Sequence, residues 1–341
     1  MMKVFCVTIS LLFSILLFGQ VPVNDPHWQM AWEDNFNEFN SNIWVKANDC
    51  RHGKDEPQLY LEENVWTNHG NLIIRINDSS VFCQHQYSPG CICMSCDNIL
   101  YKYTSGWVET KNPFVNRYGY IESRMAIPYR RGLWPAFWTF TSGAGQNACE
   151  IDIFEMYGCK GSDHIVTNIH RVYDHAAPYD TATMYLQEDD LNNFSYTDWH
   201  IYAMEWDPNK IIWYVDNMPI RLMYNHGITG SVKLILNVAA QETKKCALPT
   251  GLPINDSMFV DYIRTYRLKC DNQTVVTEIP DFSLYECSVK KSITLGSGTT
   301  IPLSSDISLR ATDFIELLPD FEVPAGCELY LDVSPCSNTV P

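Results

Sequence analysis

Short runs of β-branched and aromatic residues, broken by Gly, Pro, Asn and Asp, recur along this chain, and helical periodicity is nearly absent. Residues 71–76, 120–127, 134–140, 200–206, 211–215, 233–239 and 259–267 each read as a strand. Many short strands with turn signals between them predict an all-β sandwich. Their span of about 240 residues suits one large sandwich rather than two domains. From residue 270 the character changes. Residues 271–280 are polar, without an apolar pattern, and 270–288 is taken as a linker. Residues 289–341 then carry short strands at 292–295, 307–311, 314–317 and 328–333, a small separate β-module too small for a deep active site.

Composition narrows the function. The 341 residues are 46% hydrophobic, 13% aromatic and 19% charged, which excludes disorder. The one long apolar run is N-terminal, which excludes a transmembrane bundle. Met1-Met2-Lys3, an apolar stretch over 4–18 and Gly19-Gln20 read as a secretory signal peptide over 1–20. The chain from 21 onward is therefore expected outside the cell or at its surface, as a monomer with no membrane insertion once the signal is cleaved. A net charge of −16 disfavours nucleic acid and sulfate-dense polymers as partners. Ten Trp and nineteen Tyr suit a β-rich protein, and also one that stacks on sugars. Of thirteen Cys, twelve lie outside the signal and read as disulfide candidates in an oxidising compartment. Cys83, Cys91, Cys93 and Cys96 crowd together, and a zinc site is the competing reading of that crowd. Cys149 and Cys159 are placed to brace the segment between them.

Alternation assigns faces. Around Tyr120 one face carries Tyr120, Glu122, Arg124 and Ala126, and the other Ile121, Ser123, Met125 and Ile127. Trp134, Ala136, Trp138 and Phe140 share a face. A face that holds two Trp beside charged groups reads as a concave binding surface, because a merely solvated face does not normally carry them.

The segment Glu150-Ile151-Asp152-Ile153-Phe154-Glu155 decides the chemistry. Glu150 and Asp152 are two apart and share a strand face. Glu155 falls on the opposite face unless a β-bulge at Ile153-Phe154 absorbs one residue and returns it. Cleaving a glycosidic bond with retention needs two carboxyl groups about 5–5.5 Å apart, one a nucleophile and one protonated. Acids four strand positions apart have Cα atoms roughly 13 Å apart, a gap that strand curvature and two converging Glu side chains can close. The Asp between them can hold a proton, since like charges that close do not all ionise. A solvent-facing strand with scattered acids is the competing reading.

These residues resemble the active-site signature of glycoside hydrolase family 16 in its bulged, laminarinase-like form. The resemblance runs from about Trp32 to Tyr266. It includes Glu56-Pro57-Gln58-Leu59-Tyr60, Tyr118-Gly119-Tyr120-Ile121-Glu122-Ser123-Arg124, Gly132-Leu133-Trp134-Pro135-Ala136-Phe137-Trp138, Trp213-Tyr214-Val215-Asp216 and Phe259-Val260-Asp261-Tyr262-Ile263-Arg264 in order. It implies a concanavalin-like β-jelly roll with a curved, open cleft that hydrolyses internal β-linkages of a polysaccharide. It makes Glu150 the nucleophile, Glu155 the general acid and then base, and Asp152 the assistant. Trp134 and Trp138 would stack on sugar, His170 would reach the cleft, and Glu56 and Arg124 would bind substrate. No cofactor is required for catalysis. Some members carry a structural calcium near the Asp34 element and a late Asp; Asp261 fills that late position, while Asn35 weakens the ligand set. Trp107 stands where many members have Arg.

A β-1,3-glucan is the favoured substrate. Agarase- or carrageenase-like galactan hydrolysis and transglycosylation are alternatives on the same site, and a non-catalytic carbohydrate-binding protein is the alternative of another class. The tail resembles small C-terminal β-modules of secreted bacterial proteins.

Overall fold

The computed structural model describes residues 28–48, 52, 56–83, 99–111, 118–141, 149–156, 165–171, 184–186, 195–207, 210–225, 228, 231–241, 253–276, 289–296, 299, 301, 303 and 306–333. The signal segment 1–20, Cys91, Cys93, Cys96 and Cys159 lie outside them. The strands are β1 (Trp28–Asp34), β2 (Trp44–Lys46), β3 (Gln58–Tyr60), β4 (Val65–Asn68), β5 (Asn71–Phe82), β6 (Leu100–Ser105) and β7 (Trp107–Thr110). They continue with β8 (Gly119–Ala126), β9 (Leu133–Thr141), β10 (Cys149–Met156), β11 (Ile165–Arg171), β12 (Met184–Leu186), β13 (His200–Trp206) and β14 (Lys210–Val215). The last are β15 (Met218–Tyr224), β16 (Val232–Ala240), β17 (Asn255–Leu268), β18 (Cys270–Val276), β19 (Val289–Leu295), β20 (Asp306–Leu317) and β21 (Glu328–Val333). No helix among the described residues is long and apolar enough to cross a membrane.

Two sheets make the sandwich expected from the alternating runs. The first has the order β15-β14-β13-β8-β17-β5-β6-β3, with β1 on β17 and β4 on β5; the second runs β12-β11-β10-β9-β16-β7-β2. Each strand sends alternate residues inward. Ile121, Met125, Met204, Trp213 and Ile263 of the first sheet pack in one core with Phe137, Ile151, Phe154, Leu234 and Leu236 of the second. Phe154 and Tyr202 meet across the sheets at 4.5 Å between ring centroids. The chain passes from the first sheet to the second at Gly106, where a Cβ would lie 2.6 Å from the Asn64 carbonyl oxygen and 2.7 Å from Val65. Only glycine lets the backbone approach that closely, and the corner it makes sets Trp107 on the outer face of the second sheet.

The C-terminal region differs from its expectation at one boundary. The linker expected over 270–288 is strand at its start: β18 pairs with β19 in parallel, so the module's sheet begins at Cys270. Polar composition misled the reading, because a short strand on a sheet edge needs no apolar run. β18, β19, β20 and β21 pair in parallel and in chain order, with Ile293, Leu295, Ile307, Leu309 and Ala311 as a separate small core. Arg310 lays its guanidinium over the Tyr118 ring, 5.2 Å from the centroid, so the module rests against the first sheet. Cys149, expected to brace β10, is buried at the start of that strand, and Cys159 lies outside the described residues.

Candidate active site

The bulge lies where the acid spacing requires it. In the ladder of β10 with β9, Asp152 faces Trp138 and Glu155 faces Ala136. In the ladder with β11, Asp152 faces Asn168 and Glu155 faces Val166. Three positions on β10 thus match two on each neighbour, which is one inserted residue. Ile153 and Phe154 both turn into the core, and Glu155 returns to the face of Glu150 and Asp152. The break is anchored from the opposite sheet: Trp213 Nε1 donates to the Asp152 carbonyl oxygen at 2.8 Å. Sequence reasoning placed Trp213 in a motif but missed this role, because a contact between sheets leaves no periodic trace.

Around the acids the second sheet's outer face supplies donors. Glu155 Oε1 accepts from Trp134 Nε1 at 2.9 Å, and Oε2 accepts from Asn168 Nδ2 at 3.4 Å. His170 Nε2 stands 3.2 Å from Asp152 Oδ2 and 4.0 Å from Glu150 Oε1. Glu150, Asp152 and His170 offer donor atoms within 4.8 Å of one another, a group that could hold a metal ion. Asp152 is 1% exposed and interacts with both glutamates. Burial first, and then the charge of Asp152, push Glu150 up to about 9, while His170 pulls it down. Burial and then the charge of Glu155 hold Asp152 well above the usual carboxylate range. Burial and neighbouring carboxylate charge thus favour the protonated forms of Glu150 and Asp152 near neutral pH.

The other expected residues separate into three groups. Trp134, half-buried, and His170 join the acids. Trp138, only 5% exposed, lies in the layer beside them: it meets Trp107 edge-on at 5.4 Å and His52 at 5.8 Å. Its Nε1 donates to Asn237 Oδ1 at 2.9 Å, and Asn237 Nδ2 donates to the Tyr60 hydroxyl at 3.2 Å. Glu56 ends that chain, with Oε2 accepting from Tyr60 at 3.0 Å and from Gln58 Nε2 at 2.5 Å. Trp138 therefore supports the cleft floor more than it offers a ring face. Trp107 Nε1 donates to Glu109 Oε2 at 3.0 Å, and Glu109 Oε1 accepts from Lys233 Nζ at 2.7 Å, a buried pair under the same floor that the sequence did not reveal.

Arg124 and Asp261 fall outside the site. Both lie on the first sheet, on the face turned away from the core, and Arg124 Nη1 donates to Asp261 Oδ2 at 2.7 Å. Alternation had grouped Arg124 correctly with Tyr120 and Glu122, but a period of two cannot say which sheet lines the cleft. Asp261 Oδ2 is paired with the Arg124 guanidinium, and among the described residues no further Asp, Glu, His or Cys gathers around Asp261 into a metal-holding group. Both carboxylate oxygens of Asp34 are likewise occupied, accepting from the Phe36 amide at 2.9 Å and from Trp44 Nε1 at 2.8 Å.

Comparison with known proteins agrees with this geometry. The chain is 28% identical over 72% of its length to the clotting factor G alpha subunit of Tachypleus tridentatus, covering 35% of that protein. It is 27% identical over 71% of its length to a beta-glucanase of Rhodothermus marinus, covering 86% of it. The catalytic domain of an endo-1,3-beta-glucanase (laminarinase) from Thermotoga petrophila RKU-1 superposes with a TM-score of 0.56 at 25% identity, over 71% of this chain and 98% of that one. The chain spans 35% to 45% of the length of three of its curated relatives. The sequence pattern described as glycosyl hydrolases family 16 matches residues 37–240, which hold the bulged strand and its three acids, and the chain belongs to that family.

Proposed function

We propose that this protein is a secreted, retaining endo-glycosidase that cleaves internal bonds of a β-1,3-glucan. One observation carries the reading: a one-residue bulge in β10 sets Glu150, Asp152 and Glu155 on one face. Glu150 attacks the anomeric carbon while Glu155 gives a proton to the departing glycosidic oxygen, leaving a glycosyl ester on Glu150. Glu155, now a carboxylate, takes a proton from water, whose oxygen breaks the ester and releases the sugar with its configuration retained. Two donors already aim at Glu155, which suits a group that must alternate between acid and base. Asp152 competes with Glu150 for one proton; when Asp152 holds it, Glu150 is the free nucleophile.

The β-1,3-glucan assignment is supported by the likeness to the endo-1,3-beta-glucanase of Thermotoga petrophila RKU-1. The signal-like N-terminus and the aromatic content support action outside the cell, on polymer. Release of reducing sugar from laminarin, mixed-linkage glucan, agarose and carrageenan tests the substrate, and NMR of the first product anomer tests retention. Laminarin should give the fastest release. A fastest rate on agarose or carrageenan replaces the glucan by a galactan, and binding without release from any polymer overturns the enzyme.

A further inference from the structure

The ion pair displaced from the cleft lies in a corner with a chemistry of its own. Trp199, just before β13, is 37% exposed, and Phe259 on β17 is 39% exposed. Phe259 faces Ala126 in the ladder, and its neighbours Met258 and Val260 point into the core, so its ring stands on the solvent side with Arg124. The Arg124 guanidinium lies over the Trp199 ring, 4.8 Å from the centroid, and Asp261 holds it from the other direction at 2.7 Å. Asp216 also acts on Arg124, and is itself bonded by His200 Nδ1 at 2.6 Å and by the Ile201 amide at 2.8 Å.

From this arrangement we infer that the corner formed by Trp199, Phe259, Arg124 and Asp261 is a second carbohydrate-binding site, remote from the cleft. The inference rests on the proposed action on a polysaccharide. Ring faces pack against the apolar faces of pyranose units. A guanidinium carries five N–H donors in a fixed plane, and the Asp261 pair uses one on Nη1. Its other donors and the second Asp261 oxygen match the donor and acceptor pattern of neighbouring sugar hydroxyls. Stacking and pairing hold the fork in place, so little side-chain freedom is lost on binding. Arg124 and Asp261 cancel each other's charge, which suits a neutral glycan rather than an anionic one. The corner lies on the opposite side of the sandwich from the acids, so it would hold one strand of an insoluble polymer while the cleft works on another.

The test measures depletion onto insoluble β-1,3-glucan particles in a Glu150→Gln background, where bound polymer is not consumed. Trp199→Ala and Phe259→Ala should each weaken particle binding about three- to tenfold, and Trp199→Phe should restore most of it. With the acids intact, Trp199→Ala should also lower the ratio of particle hydrolysis to hydrolysis of short soluble gluco-oligosaccharides. Particle binding that is equal in all variants overturns the site. So does a loss that Trp199→Phe leaves unrepaired, or a self-association of the parent that Trp199→Ala abolishes, which would give the surface to a second copy. Because binding is read without turnover, an absence of sugar release from wild-type protein defeats the proposed enzyme and not this site.

Discussion

Strands β8 and β10 look alike as sequence and do opposite work. Each places charged residues among apolar ones, and each sends its apolar set into the same core. On β8, Glu122 is buried with countercharge nearby: Arg264 Nη1 lies at 3.8 Å and the Tyr266 hydroxyl donates at 3.4 Å. On β10, the acids face one another and His170. In the first arrangement a countercharge opposes the rise that burial gives Glu122; in the second, neighbouring carboxylate charge adds to burial, and the two together hold a proton ready at neutral pH. The register adds a second difference. β8 stays in step with β13 from Gly119 to Met125, and its shift against β17 falls on the β17 side, whereas β10 inserts a residue against both neighbours.

That contrast is broken most severely by Glu155→Gln, which keeps the bulge and removes the proton donor. Turnover should fall by up to about 10⁴-fold, and a variant that keeps activity within tenfold would remove Glu155 as the general acid. Deleting Phe154 leaves Glu150-Ile151-Asp152-Ile153-Glu155, whose plain alternation keeps three acids on one face. Glu150→Gln should reduce turnover by about 10³-fold or more while oligosaccharide affinity stays near the parent's. Substantial residual hydrolysis removes it as nucleophile. Trp213→Phe leaves the Asp152 carbonyl without its cross-sheet donor. It should cost about 1–3 kcal/mol in urea unfolding and lower kcat more than it changes KM, because the acids lose their spacing and the substrate surface does not.

The acid conflict also makes stability depend on pH. A carboxyl raised in the folded state binds its proton there at pH values where the unfolded chain has already lost it, so stability falls as pH rises through that window. For Glu150 the window runs from the ordinary 4.5 to about 9. The melting temperature of Glu150→Gln should therefore gain on the parent as pH rises from 5 to 8, by about 2–4 °C or more. A gap that is flat with pH would mean that Glu150 is not raised. The same competition places the acid limb of the rate profile above the usual carboxylate range. Glu122→Gln gives the smallest effect. Its turnover should stay within about twofold of the parent, and a larger fall would draw β8 into the catalytic surface.

How much of this was legible follows from range. Strand positions, the division of β8 into two faces and the need for a bulge between Asp152 and Glu155 all arise from a period of two along one chain. That period is imposed by backbone geometry, and it is present in any sequence that buries one face. The start of the module at Cys270, the cover that Trp107 and His52 place beside Trp138, and the anchoring of the bulge by Trp213 arise between distant segments. Arg124 makes the distinction plain. The sequence by itself determined its partners on β8, and it determined that three acids could share a trough. Only the tertiary structure decided that Arg124 faces Asp261 on the back of the sandwich, because alternation fixes which side chains point together, whereas packing of one sheet on the other fixes what they point at.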